Sequence, residues 1–220
     1  MMTVCGPTQC GKTRYIADLI KQNDKLIVPP VDKLLYLYST EQTGYDDIKK
    51  NIRDNAATST LKTYEFLDCS NGIPSINDLR GKLSKATLLV LDDLMVLAAS
   101  NKINLENLDN IASRDSHHTN TSVIFVCQNL NYGNGRLRNC RTNSQYHTIF
   151  KSLTDTRDMY MIAANKKIPL ACMRKIVADV GKKQYGYVLF DGSPRSYDNT
   201  RVRTGIFEQD ETVIYCLDKE

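Results

Sequence analysis

The sequence predicts an α/β fold: a mainly parallel sheet flanked by helices on both faces. Three observations carry that reading. Short apolar runs alternate with amphipathic stretches of helical spacing, two of the runs are apolar enough to be buried on both faces, and a glycine-rich turn ending in Gly-Lys-Thr joins the first run to the first amphipathic stretch.

In chain order, strands are predicted at Thr3–Cys5, Leu34–Tyr38, Thr63–Leu67, Thr87–Leu91 and Ser122–Cys127, each three to six residues long and rich in Val, Ile, Leu, Phe and Tyr. Between them, Lys12–Lys21, Tyr45–Asn55, Ser75–Leu83 and Leu105–Ser113 carry helical spacing. Ser75 and Asp78 after Pro74 form a capping-box start, in which the serine oxygen takes an N–H of the first turn and the acid reaches back. After residue 140 the pattern is less regular. Tyr146–Lys151 reads as a strand, Thr154–Asn165 and Ala171–Val180 as helices, and Tyr185–Asp191 as a late strand; Gly192, Ser193 and Pro194 turn into a polar tail that ends in an edge strand, Thr212–Leu217. The chain is expected to be one domain over 1–220, with a core at about 1–151 and residues 152–220 completing it.

Composition narrows the function classes. The chain has 220 residues, 41% of them apolar and 25% charged, as in a globular protein with a sizeable core. No run approaches the roughly 18 apolar residues of a membrane span, and no basic-then-apolar signal opens the chain, so the expectation is an intracellular protein with no membrane partner. The seven cysteines are scattered without a C-x-x-C pair and the three histidines lack ligand spacing, which argues against a disulfide framework or a zinc cage. Net charge is +4, with 13 basic and 14 acidic residues in 1–110 against 16 and 11 in 111–220. A basic second half is a mild pointer to a polyanion, and solvated helix faces account for it equally well.

The motif that carries chemistry is "GPTQCGKT", Gly6 to Thr13, in the pattern G-x-x-x-x-G-K-T between a strand and a helix. Glycines let successive N–H groups turn inward on a polyphosphate while the following helix presents its positive end. Gly6, Pro7, Thr8, Gln9, Cys10, Gly11, Lys12, Thr13 and Arg14 are therefore the candidate nucleotide-binding residues: Lys12 for the β- and γ-phosphates, and the Thr13 hydroxyl for Mg²⁺. About 80 residues later the apolar strand in "TLLVLDDLM" ends in Asp92 and Asp93. Adjacent carboxylates at the end of a buried strand repel one another, so a nearby cation is a good reason for them: Asp92 to hold the hydrated Mg²⁺, Asp93 to orient and deprotonate a water. A helix N-terminus bearing two acids is the plainer alternative. A third strand, "SVIFVCQN", ends in Gln128, placed to sense the γ-phosphate or position that water. Arg114 ahead of this strand, and Arg136, Arg138 and Arg141 after it, are candidates for a finger reaching a neighbouring subunit's γ-phosphate, which would make the working unit a ring.

Loop, strand-end Asp-Asp and strand-end Gln, in this order and spacing, resemble the FtsK/HerA superfamily of DNA-pumping ATPases, in particular the genome-packaging ATPases of poxviruses and related large DNA viruses. The stretches "SRDSHHTNTSVIFVCQNL", "RTNSQYHTIFKSLTDTRDMYMIA" and "YGYVLFD…RVRTGIF" are similar to the packaging ATPases of Polinton/Maverick elements and adintoviruses, and the resemblance runs from Thr3 to about Phe207. It implies a RecA-like three-layer P-loop NTPase core, assembled as a ring homo-oligomer that uses ATP and Mg²⁺ to thread double-stranded DNA into a capsid. It further implies a capsid or portal-vertex partner, and a site of action in the host cytoplasm or nucleus where virions assemble. Carried over by position, Lys12 and Thr13 bind phosphate and Mg²⁺, Asp92 is the metal acid, Asp93 activates water, Gln128 is the sensor, and Arg114, then Arg141, is the trans finger. The superfamily most often has Asp-Glu where this chain has Asp92-Asp93, a shortening of about 1.5 Å that brings the water closer; poxvirus-type members share the paired aspartates. The chain opens almost on its first strand, so the expectation is that a partner-docking segment lies elsewhere or that the true start is upstream.

Sequence-independent grip on DNA requires Lys and Arg on phosphates; Arg136, Arg138, Lys166, Lys167, Lys182 and Lys183 are available, and no aromatic interleaving singles one out. Two other readings stand beside the motor. A nucleoside or nucleotide kinase shares the loop and chain length but has no use for the strand-end Asp-Asp and Gln, and a nucleotide-gated assembly protein would bind without significant turnover.

Overall fold

The computed structural model describes residues 1–111, 121–130 and 138–216. Among these residues nine strands form one sheet: β1 (Met2–Cys5), β2 (Lys33–Tyr38), β3 (Thr63–Asp68), β4 (Thr87–Asp92), β5 (Ser122–Cys127), β6 (Tyr146–Phe150), β7 (Tyr187–Asp191), β8 (Val202–Thr204) and β9 (Val213–Ile214). Their order is β3-β2-β4-β5-β1-β6-β7-β8-β9. The first six in that order are parallel, and β7, β8 and β9 add antiparallel to one side.

Why the strands lie so follows from their sequences. Every residue of β4 is buried, as a two-sided apolar run requires of a central strand. Alternate side chains feed opposite layers: Leu34, Tyr36, Leu88 and Val90 face α1 (Lys12–Lys21) and α3 (Gly44–Asp54), through Ile16 and Ile48. Leu35, Leu37, Leu89 and Leu91 face the other layer, with α5 (Met95–Ser100), α6 (Lys102–Asn110), α8 (Arg157–Asn165) and α9 (Leu170–Gly181). Short helices α2 (Asn23–Leu26), α4 (Ile76–Leu79) and α7 (Arg138–Thr142) fill the connections.

Register decides what stands at the edge where β1 ends. Cys5 pairs with Cys127 on one side and Ile149 on the other, and Tyr38 pairs with Asp92. Because β5 lies between β1 and β4, Gln128 leaves the sheet between the Gly6–Thr13 loop and Asp92-Asp93. Ligands of parallel α/β sheets bind outside these carboxyl ends.

Several expectations are corrected. The capping box at Ser75 forms, with both reciprocal bonds to Asp78, but the helix stops at Leu79 and does not reach Leu83. The stretch expected as one helix from Leu105 begins at Lys102, capped by the Asn101 side chain on the Asn104 N–H, and Met95–Ser100 is a separate helix. The tail is not merely polar turn. Ser193 is buried, β8 pairs with β7, and Arg203 bonds the buried Asp191 at 3.0 Å, so a salt bridge docks a segment whose sequence shows little periodicity. The last strand is Val213–Ile214, shorter than expected, with Leu217 outside the described residues.

Candidate nucleotide site

Gly6 to Thr13 form the turn from β1 into α1. The Gly6 N–H donates to the Cys127 carbonyl at 3.2 Å, which ties the loop's start to β5. A Cβ at Gly6 would stand 2.7 Å from both Cys10 Sγ and Phe150 Cβ, so no larger residue fits there. Gly11 has φ 104°, a conformation that side chains rarely adopt, and Gln9 has φ 63°. Gly11 is also the N-cap of α1 and brings no side chain to bond the first-turn amides. Those N–H groups, with the helix dipole behind them, favour an anion. The Lys12 ammonium folds back into the loop, donating to the Gly6 carbonyl at 2.7 Å and the Pro7 carbonyl at 2.9 Å.

The acid pair splits into two environments. Asp92 is only 3% exposed, and its Oδ2 accepts the hydroxyls of Tyr36 at 2.6 Å and Tyr45 at 2.9 Å. Burial pushes its carboxyl above the ordinary range, against the pull of the two hydroxyls. Asp93 has φ 53° and breaks the strand's alternation, held by its N–H on the Val126 carbonyl at 3.2 Å and by Ser39 Oγ donating to its carbonyl at 3.0 Å. That turn aims its carboxylate along the edge, where Gln128 Nε2 lies 3.1 Å from Oδ2 and 3.4 Å from Oδ1.

Loop, acid pair and strand-end amide thus meet at one edge of a mainly parallel, helix-covered sheet. The fold is that of a RecA-like P-loop NTPase. No protein-family profile and no curated protein sequence matches the chain. Solved structures do. The genome packaging NTPase B204 from Sulfolobus turreted icosahedral virus 2, in complex with ATP-gammaS, is 14% identical over 92% of this chain and 94% of its own, with a TM-score of 0.51. The DNA-packaging ATPase B204 from Sulfolobus turreted icosahedral virus is 11% identical over 99% and 97%, with a TM-score of 0.55. The KaiC-like protein PH0186 from Pyrococcus horikoshii OT3 is 11% identical over 97% and 88%, with a TM-score of 0.50.

Within this P-loop NTPase fold, the donor set suits Mg²⁺. Thr13 Oγ1 and the Asp92 carboxylate are hard oxygen donors, and among the described residues no group of three or more His, Cys, Asp or Glu could hold an ion alone. Such a set fits a cation that brings phosphate oxygens and waters with it. Three side chains of this edge escaped the sequence reading. Tyr36 and Tyr45 clamp Asp92, and Gln42 accepts the Thr13 hydroxyl at 2.9 Å. The tyrosines of "LLYLY" read as strand filler, and only the pairing of β2 with β4 brings one against the acid.

The arginines separate. Arg114 and Arg136 lie outside the described residues. Arg141, in α7, donates to Met161 Sδ at 3.1 Å and stands just before β6 begins, at the sheet edge opposite the P-loop. Arg14 is exposed on α1, 3.9 Å from Asp18. The candidate DNA-gripping residues do not gather either: Lys183 lies beside the P-loop, whereas Lys166 lies near Gln145 and Gly192 at the far edge. A hollow of about 730 Å³ is also at that far edge, against Met2, Leu88 and Tyr146, away from the chemistry. No helix of the described residues is long and apolar enough to cross a membrane.

Proposed function

We propose that this chain is an ATP-hydrolysing motor that moves viral double-stranded DNA into a capsid, acting as a ring homo-oligomer with a capsid or portal-vertex partner. The observation that carries the hydrolytic part is the contact of Gln128 Nε2 with the Asp93 carboxylate, beside the P-loop. A strand-end amide on a strand-end acid is an arrangement for placing a water. The packaging part rests on the resemblance of its motifs, and on the fold it shares with two proteins named as packaging enzymes.

In this reading the loop amides of Gly11 to Arg14 cradle the β- and γ-phosphates, and Lys12 leaves the Gly6 and Pro7 carbonyls for the phosphate oxygens. Thr13 and Asp92 would hold a Mg²⁺, which would supply charge neutralisation on those oxygens. Tyr36 and Tyr45 keep Asp92 in one rotamer. Asp93 accepts a proton from the attacking water while Gln128 holds the carboxylate and that water in line. An arginine from the next subunit, Arg114 first and Arg141 second, meets the charge that develops on the γ-phosphate.

The test is ATP hydrolysis against protein concentration, with and without long double-stranded DNA at low salt. Specific activity should climb with both, because a site completed in trans exists only in the assembly. Turnover that stays flat with concentration and DNA would overturn the motor.

A further inference from the structure

On the side of β1 away from Asp93 and Gln128, a cavity of about 490 Å³ opens against Gly11, Arg14, Lys183, Gln184 and Tyr185. Its size is that of a small-molecule pocket. It lies at the P-loop edge, since β7 runs antiparallel to β6 and Tyr187, itself part of the cavity wall, pairs with Phe150, which lines it too.

Tyr185 is held over the loop. Its ring atoms lie 3.1–3.2 Å from where a Gly11 Cβ would be, and the Arg14 guanidinium stands 5.9 Å from the ring centre. The residue has φ 56°, an uncommon conformation for a bulky side chain, yet 41% of it stays exposed. The turn that carries it is pinned. Lys151, at the end of β6, donates from its backbone to the Gly186 carbonyl at 2.8 Å and from its ammonium to the Gly181 and Lys183 carbonyls. A Cβ on Gly186 would fall 2.0 Å from the Val180 carbonyl oxygen, so the turn has no room for a side chain there. Strained backbone that presents a half-exposed aromatic ring points to a ligand contact.

A polyphosphate in the loop has its terminal phosphate toward Asp93, on the β5 and β4 side. Its other end then emerges on the β6 and β7 side, beneath Tyr185. The geometry points to Tyr185 as the platform on which the purine base of the bound nucleotide stacks, with the Arg14 guanidinium beside it, so that Tyr185 sets affinity for the nucleoside end. This rests on the P-loop binding a nucleoside triphosphate. Every base has a π-face, and stacking on an aromatic side chain is worth about 10-fold or more in affinity.

The test is calorimetric titration of the full chain with Mg²⁺ and either ATP or inorganic tripolyphosphate, which has the phosphates without the base. Tyr185→Ala and Tyr185→Leu, the second keeping bulk over Gly11, should weaken ATP by about 10-fold or more and leave tripolyphosphate within about twofold, while Tyr185→Phe should bind both as the unmodified chain does. ATP affinity unchanged in Tyr185→Leu, or both ligands weakened alike, would overturn the platform. If the unmodified chain binds neither ligand, the P-loop reading itself fails and the platform with it; tripolyphosphate binding with no added affinity for ATP overturns the platform alone.

Discussion

Gln128 Nε2 stands 3.1 Å from Asp93 Oδ2, joining the ends of two strands that are adjacent in the sheet and 35 residues apart in the chain. Asp93→Asn should lower ATP turnover by roughly 10²–10⁴-fold, the contribution of a positioned general base, with ATP affinity kept within a few fold. Gln128→Ala should lower turnover by less and leave affinity alone. Steady-state hydrolysis paired with equilibrium ATP binding checks both; full turnover in Asp93→Asn would remove that residue from the chemistry.

Asp92 should trade stability for function. Its folded pKa is raised by burial, above the ordinary 3.8. The folded state therefore keeps this proton where the unfolded chain has already lost it, so stability falls as pH rises from the ordinary value through the raised one. Asp92→Asn keeps an oxygen for the Tyr36 and Tyr45 hydroxyls and removes the charge. In metal-free, nucleotide-free protein it should raise the melting temperature at pH 7, each kcal/mol relieved being worth about 2–4 °C in a domain of this size, while hydrolysis is lost. A melting temperature that drops would show the carboxylate to be a net structural asset.

His147 predicts the acid limb of stability. It is 5% exposed, its Nδ1 has no hydrogen-bond partner among the described residues, and burial first, then Lys166 and Arg141, hold its pKa down to about 4 from an ordinary 6.5. Below pH 6.5 the unfolded chain takes up a proton that the folded chain refuses, so stability is lost from there down to about pH 4, by at most about 3 kcal/mol. His147→Leu should flatten the urea midpoint across that range. A slope that is unchanged would assign it to other groups.

Gly11→Ala should fail locally. At φ 104° an alanine is strained, and its Cβ would press on the Tyr185 ring at 3.1 Å. We expect a stability loss of about 1–2 kcal/mol and a larger loss of nucleotide affinity, since both the loop and its neighbour must shift. Chemical denaturation and ATP titration measure the two separately, and unaltered ATP binding would show that the loop tolerates another shape.

The sequence by itself determined most of the sheet and the site's skeleton. Ser122–Cys127 was legible to the residue, and the five other parallel strands to within one, because an apolar run of strand length between polar turns has few other places to go. The P-loop, Asp92-Asp93 and Gln128 were legible because each is a local chemical exception: glycines where the chain must curl, charges and an amide where apolar runs stop. Tertiary structure alone decided the rest. That β5 inserts between β1 and β4, so that Gln128 meets Asp93, is a choice of strand order that no local pattern encodes. That Tyr36, Tyr45 and Gln42 serve Asp92 and Thr13, and that Tyr185 covers Gly11, depends on contacts across 29 to 174 residues of chain. The same side chains would look like ordinary strand and loop residues anywhere else, because a hydroxyl or a ring acquires a role only from what packing places within a few ångströms of it.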